Sequence, residues 1–125
     1  MAKWLSDSTL ELILGLIDNG TRVVVCSGQP ANFAGIAAVA LADIAITAGA
    51  GGGDWSAIAN GDVSGRKITL AAQADVDIDT SGTATHISID DGSTLLAVTT
   101  CTSQALTDTG TVTIPAHDYE VQDPA

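Results

Sequence analysis

Hydrophobic residues near the start of the chain recur at helical spacing, and this pattern predicts one short helix over residues 8–18. The residues that fall on one face of this helix are Leu10, Ile13, Leu14 and Ile17. Leu12 and Leu16 widen the face, so we expect the helix to be well covered by the rest of the protein.

The ends of this helix carry recognisable signals. Ser8 and Glu11 have the spacing of a capping box, in which a hydroxyl and a carboxylate each accept from a free backbone N–H group. Asn19 and Gly20 tolerate a positive φ, and we expect them to end the helix in that way.

The remaining periodicity is that of β-strands. "TRVVVCS" (21–27) predicts a first strand, and several further runs follow from residue 65 onward. These runs are "RKITLAAQ", "ADVDID", "THISID", "TLLAVTTC", "GTVTIPA" and "HDYEVQD". Asp91-Gly92 lies between two of them and predicts a hairpin, and Pro115 is expected at a strand end or edge. The order of runs and turns predicts an antiparallel β-meander.

The segment 31–65 is less determinate, because its many alanines and glycines fit more than one structure. "IAAVALADIAI" is compatible with a helix, or with a strand and a loop, and we favour a short strand around residues 43–48. The glycines of residues 50–53 predict an irregular loop.

Composition supports one β-rich domain. Hydrophobic residues make up 46% of the 125 residues but aromatic residues only 3%, so the core must consist of Ala, Val, Ile and Leu. We therefore predict a mainly β (α+β) fold: an antiparallel β-sandwich or barrel-like meander with one N-terminal helix. It forms a single domain over 1–125, with the β-rich part at 21–123.

The net charge of −11 excludes some partners. Binding to nucleic acid or to an anionic membrane surface depends on Lys and Arg, and the chain has four of them against fifteen Asp and Glu. We expect neither partner. We also see no secretory signal or membrane span, and expect synthesis in a cytoplasm.

Asp75, Asp77 and Asp79 alternate along the chain and suggest a calcium loop at first sight. An EF-hand loop that began at Asp75 would need Gly at its sixth position and Glu at its twelfth, where this chain has Thr80 and His86. The alternation instead predicts a strand with solvated carboxylates on one side, which would protect a sheet edge. We predict no metal site here.

Other candidates for chemistry are equally weak. Cys26, Cys101, His86 and His117 could supply four zinc ligands, but they lack the close paired spacing of a zinc motif. We expect reduced thiols and ordinary imidazoles, and no Cys–His nucleophilic pair.

Two further patterns fail in the same way. "GAGGGDW" has neither the Gly-Lys-Ser/Thr ending of a phosphate loop nor dinucleotide-binding spacing. Asp90 and Asp91 are neighbours in a turn, where they shape the hairpin more readily than they act as acid and base. The sequence therefore predicts no enzyme, catalytic residue, cofactor or metal.

Candidate contact residues remain. Trp4 and Leu5 lie ahead of the helix, where they would either anchor a partner or fold back as a hydrophobic staple. Trp55 follows the glycine loop, where it would be an interface hot spot or pack the loop base. The basic residues Arg22, Arg66 and Lys67 would either mark a contact with an acidic partner or be ordinary solvated side chains.

Nearly the whole chain resembles a family of small virion proteins that tailed bacteriophages and related proviral elements encode among their structural genes. The segments that carry the resemblance best are "TRVVVCSGQP", "GDVSGRK" and the closing "IPAHDYEVQDPA". The resemblance implies a non-enzymatic structural component. The glycine-rich insert at residues 48–54 of this chain is longer than we would expect for a member of that family.

Size, strand content and acidity favour one position in such a particle. They suit a capsid cement or decoration protein on the virion exterior, whose partners would be the major capsid protein and further copies of itself, with a trimer as the expected oligomer. A tail-tube or tail-tip subunit is the alternative. A carbohydrate-binding adsorption module is another, and its sugar platform would have to use Trp55 or Tyr119.

Overall fold

A computed structural model describes residues 5–124 and shows a mainly β protein with antiparallel sheets, as predicted. The helices are α1 (Asp7–Ile17) and the short α2 (Ile36–Val39), which follows a 3₁₀ turn at Phe33–Gly35. The strands are β1 (Arg22–Cys26), β2 (Ala40–Ala45), β3 (Ala59–Asn60), β4 (Arg66–Leu70), β5 (Gln73–Asp77), β6 (Gly82–Asp90), β7 (Leu95–Leu106), β8 (Thr111–Ile114) and β9 (His117–Val121). Neither helix has the length and apolar character needed to cross a bilayer.

The first helix lies where the sequence predicts it, but its ends form differently. Ser6, not Ser8, is the N-cap, and its hydroxyl accepts from the Thr9 N–H at 3.2 Å. Gly20 has no positive φ. A glycine is needed there because an added Cβ would lie 2.4 Å from the Ile89 side chain. Close approach of the chain to the core, not backbone handedness, therefore explains this glycine.

The predicted mainly β, antiparallel fold is present, but its strand order is not that of a simple meander, because most strands have a partner that is distant in sequence. One sheet has the order β2-β1-β6-β7, a second has the order β3-β4-β9, and β5 pairs with β8. The predicted hairpin at Asp91-Gly92 is confirmed as the β6–β7 connection, in which Asp91 Oδ1 accepts from the N–H groups of Ser93 and Thr94 at 3.0 and 2.7 Å. The strand predicted at residues 43–48 is β2, which begins three residues earlier.

Strands β4 and β5 form one long antiparallel ribbon with β9 and β8. Leu70 lies opposite His117 and Gln73 opposite Ile114, three residues further along each strand, so the register continues across the interruption. Pro115 lies within that interruption and cannot donate a ladder hydrogen bond. The ribbon therefore contributes to two sheets. In sequence, the β6–β7 hairpin lies between the two strands of the ribbon.

The sheets surround one main hydrophobic core and meet on one side only. Ile78, just after β5, forms a bridge with Ala42 of β2, and the Asp79 N–H donates to the Leu41 carbonyl at 2.8 Å. The opposite side lacks such a connection: in the described residues β7 pairs only with β6, and β8 only with β5. The structure is therefore a sandwich that is closed at β2 and β5 and open at β7 and β8.

The outer face of the four-stranded sheet holds a smaller core and a buried charge. Val24, Cys26 and Ile36 pack there beneath the segment that contains Phe33. On the same sheet the fully buried Asp90 carboxylate accepts from Arg22 Nε at 2.9 Å and from the Gly92 N–H at 2.9 Å. A carboxylate can be buried at this position because these donors replace water.

We expect Arg22→Met to destabilise the protein by about 3 kcal/mol, because it leaves the Asp90 carboxylate buried without its cation. Arg22→Met/Asp90→Asn should recover part of that loss, since the remaining amide carries no charge. Lys67→Met is the control, because the partners of Lys67 are exposed and its loss should be much smaller. Urea unfolding measures all three, and equal losses for Arg22→Met and Lys67→Met would contradict this account.

Candidate interaction surfaces

The acidic stretch after β4 forms the in-and-out pattern that the sequence predicts. Val76 and Ile78 are buried, whereas Asp75, Asp77 and Asp79 are exposed. Asp75 has a φ of 54° at a register shift in β5, so the strand is irregular there. In its two-stranded sheet β5 pairs with β8 on one side, and its other side is a sheet edge, as expected, that is covered only at the end where residues 78–79 bond to β2.

The candidate metal ligands and reactive groups do not assemble. Within residues 5–124, no three His, Cys, Asp or Glu side chains form a group that could hold a metal ion. Cys26 and Cys101 are free thiols, and burial raises the pKa of both. Asp90 is buried against Arg22, whereas Asp91 is half-buried and its carboxylate bonds its own turn.

Trp55 is a core residue, so the hypothesis of an exposed hot spot requires correction. Its side chain is fully buried and its indole N–H donates to the Gly20 carbonyl at 3.4 Å. The glycine loop before it is tied down by the Thr47 N–H, which donates to Asp54 Oδ2 at 2.7 Å. Trp55 has the largest side chain of the described residues, and it fills the core instead of facing a partner.

The predicted basic contact residues pair with acidic groups of the same chain. Arg66 Nη2 lies 2.9 Å from Glu11 Oε1 and so joins β4 to α1, and Lys67 Nζ lies 2.7 Å from Asp62 Oδ1. Arg22 binds Asp90, as described above. These three side chains already neutralise acidic neighbours, so they do not form a basic patch toward a partner.

Helix α1 presents the apolar surface that the sequence analysis did not anticipate. Leu10 and Leu14 are fully buried, but Leu12 and Leu16 are 75% and 63% exposed. The helix is therefore covered on one face only, and the expectation that Leu12 and Leu16 are covered is wrong. Ile13 and Leu5 are also partly exposed, at 43% and 37%. We call Leu5, Leu12, Ile13 and Leu16 the α1 stripe.

The α1 stripe has the character of a protein-binding surface. Leu12 and Leu16 lie four residues apart and so stand side by side on the helix. Apolar side chains that cluster on the surface of an otherwise acidic protein cost free energy in water and commonly mark an interface. Leu5 is partly exposed and stays a predicted contact residue, whereas Trp4 lies outside the described residues.

Tyr119 is the other aromatic residue that was considered as a sugar platform, and it is largely buried. Its ring centroid lies 6.1 Å from that of Trp55, and its hydroxyl lies 2.9 Å from His117 Nε2. Burial raises its pKa far above the ordinary value for tyrosine. Neither Trp55 nor Tyr119 therefore offers an open ring face on which a sugar could stack.

Tyr119 is the chain's single tyrosine, so its ionisation can be followed directly. An unfolded chain loses the phenol proton near pH ~10, whereas the native protein keeps it to higher pH. Stability should therefore fall as the pH rises above ~10, and the phenolate absorbance should appear only as the protein unfolds. Tyr119→Phe should make this dependence weaker, and the part that remains comes from Cys26 and Cys101, whose pKa values are also raised by burial. A phenolate that forms near pH ~10 in the folded protein would contradict the buried position.

Comparison with known proteins gives no assignment: no family model, curated protein or solved structure matches the chain. Its function is therefore inferred from the physical character of its surfaces and from the resemblance of its sequence.

Proposed function

We propose that the chain is a non-enzymatic structural protein of a tailed-phage virion, a capsid decoration protein that binds the outer surface of the major capsid lattice and stabilises the head. The observation that carries this proposal is the α1 stripe, an apolar surface exposed on a small acidic domain. A subunit of this kind works through contacts with other protein copies, and the stripe is suited to such a contact. The assignment to a tailed-phage virion comes from the resemblance of the sequence to small virion proteins.

The charge distribution supports an outward position. Three of the four Lys and Arg residues are held in internal ion pairs, so the net charge of −11 is not offset by a basic face built from them. Packaged DNA would repel such a surface. A tail-tube subunit remains the second candidate, because a β-rich acidic protein suits a tube through which DNA slides.

Burial of the aromatic residues argues against the adsorption-module alternative. A sugar platform needs exposed rings, and Trp55 and Tyr119 are in or beside the core. The proposal therefore assigns binding to apolar protein contacts. Each contact is weak alone but is repeated over a symmetric lattice, where many copies stabilise the bound form together.

Immunogold labelling of purified particles with an antibody against this chain tests the position. The proposal predicts label over the whole head, and particles stripped of the protein should lose their DNA at a lower temperature than complete ones. Label confined to the tail would reject the capsid position in favour of the tail alternative. Absence of label from every part of the particle would reject the virion proposal itself.

The contribution of the stripe can be tested by adding purified protein back to stripped particles. Leu12→Gln/Leu16→Gln keeps good helix formers at both positions and should reduce the bound copies at least tenfold, on the order of what the loss of two buried leucines costs. Val63→Thr is the matched control, because Val63 is 77% exposed but lies outside α1. Equal binding of both variants would show that the stripe is not used.

A further inference from the structure

The open side of the sandwich forms a cleft between β7 and β8. These strands are joined by only the four residues 107–110, with the Gly110 N–H donating to the Thr107 carbonyl at 3.0 Å. Strands joined by so short a turn usually pair with each other. Here they do not, because β7 belongs to the sheet of β6 and β8 to the ribbon with β5.

A bulge in β7 lies at this cleft. Ala84 lies opposite Gln104 and His86 opposite Thr100, so residues 101–103 of β7 all face the single residue Thr85. Such extra residues bend a strand away from its regular path and disrupt the edge. The bulge therefore explains why β7 does not continue beside β8, and it leaves the side of the core open.

The cleft is apolar at its base and has a volume of about 160 Å³. Val25, Ala84 and Ile87 line it from the four-stranded sheet, and Val112 and Ile114 from β8. Apolar cavities of ~150 Å³ bind a molecule of the size of benzene. The cleft is therefore large enough for one leucine side chain.

The residues that line the mouth of the cleft are polar and uncharged, and the turn that joins β7 to β8 contains the exposed Asp108. Thr102, Gln104 and Thr113 are exposed there, and neither β7 nor β8 contains an Asp, Glu, Lys or Arg residue. Copies of a chain with a net charge of −11 repel each other over most of their surfaces. A surface without charge is a place where an acidic helix of another copy can approach.

We propose that the α1 stripe of one copy docks into the β7–β8 cleft of a second copy, with Leu12 or Leu16 as the side chain that enters the cavity. The chain carries both halves of this contact, an exposed apolar ridge and an open apolar recess of matching size. Docking would also cover the unpaired edges of β7 and β8, and a covering helix is one way in which proteins protect such edges. The contact is head-to-tail, so repetition gives a closed ring or an open chain.

This inference concerns the purified protein in solution and does not depend on a virion, so its failure can be told from failure of the proposed function. Sedimentation of the wild-type protein over a range of concentrations should show association. Leu12→Gln/Leu16→Gln, which loses the ridge, and Thr102→Glu/Gln104→Glu, which adds negative charge at the mouth, should each weaken association at least tenfold. Thr102→Gln is the neutral control for the second variant and should associate as the wild type does.

Mixing the two defective variants gives the decisive result. A head-to-tail contact predicts that they form a one-to-one dimer together although neither associates alone, because each retains the half that the other lacks. Failure of the mixture to form a dimer would overturn the proposal. Undiminished association of the Thr102→Glu/Gln104→Glu variant would also overturn it and would indicate contact between two helices instead.

Cys101 supplies an independent readout, because it lines the cleft and is only partly buried, whereas Cys26 is fully buried. Its reaction with a maleimide should slow as the wild-type concentration rises and should not slow in the Leu12→Gln/Leu16→Gln variant. Cys101→Ser gives the background rate. A reaction rate that is independent of concentration in an associating wild-type protein would place the interface elsewhere and reject the proposal.

Discussion

The architecture depends on the pairing of β4 with β9 and of β5 with β8. This ribbon joins parts of the chain that are far apart in sequence, and it continues in register through the interruption at Pro115. Because the β6–β7 hairpin lies between the two halves of the ribbon in sequence, its position follows from the ribbon. The bridge between Ala42 and Ile78 then closes one side of the sandwich, and the other side stays open.

The same arrangement accounts for the unusual use of polar and aromatic residues. Arg66 joins α1 to β4 through Glu11, and Arg22 neutralises the buried Asp90. The chain has only four Lys and Arg, and three of them form ion pairs within the protein, so the remaining surface charge is mostly negative. Trp55 and Tyr119 lie in or against the core, where their area compensates for the small side chains around them. Within residues 5–124, the large hydrophobic side chains that stay exposed are therefore aliphatic.

Local features of the sequence predicted local structure well. The helix at α1, the hairpin at Asp91-Gly92 and the burial of Val76 and Ile78 each depend on residues close together in the chain. Pairing of β4 with β9 depends on the packing of the whole protein, and no local pattern distinguishes it from a meander. For a similar reason the sequence left α2 open, as a helix or as strand and loop: Ile36 packs on the outer face of a sheet whose order the sequence does not reveal.

The site predictions failed where burial decides the outcome. Leu12 and Leu16 look like core residues in a periodic pattern, yet they lie on the solvent side of α1. For Trp55 the sequence left two positions open, an exposed hot spot or packing at the base of the glycine loop, and its side chain is buried. The same hydrophobic side chain can serve in a core or in an interface. Its type and position in the sequence therefore do not show which of the two it belongs to. The β7–β8 cleft had no sequence signal, because it results from two strands that do not pair.

Native-state amide hydrogen exchange on the dilute protein tests the open sandwich most directly. The account predicts strong protection for the amides of β1 and β6, which have neighbours on both sides. The alternate amides of β7 that do not donate to β6 should exchange far faster, although the rest of that strand is protected. Protection of those β7 amides equal to that of β1 would show that β7 and β8 are paired, and the open side and its cleft would not exist.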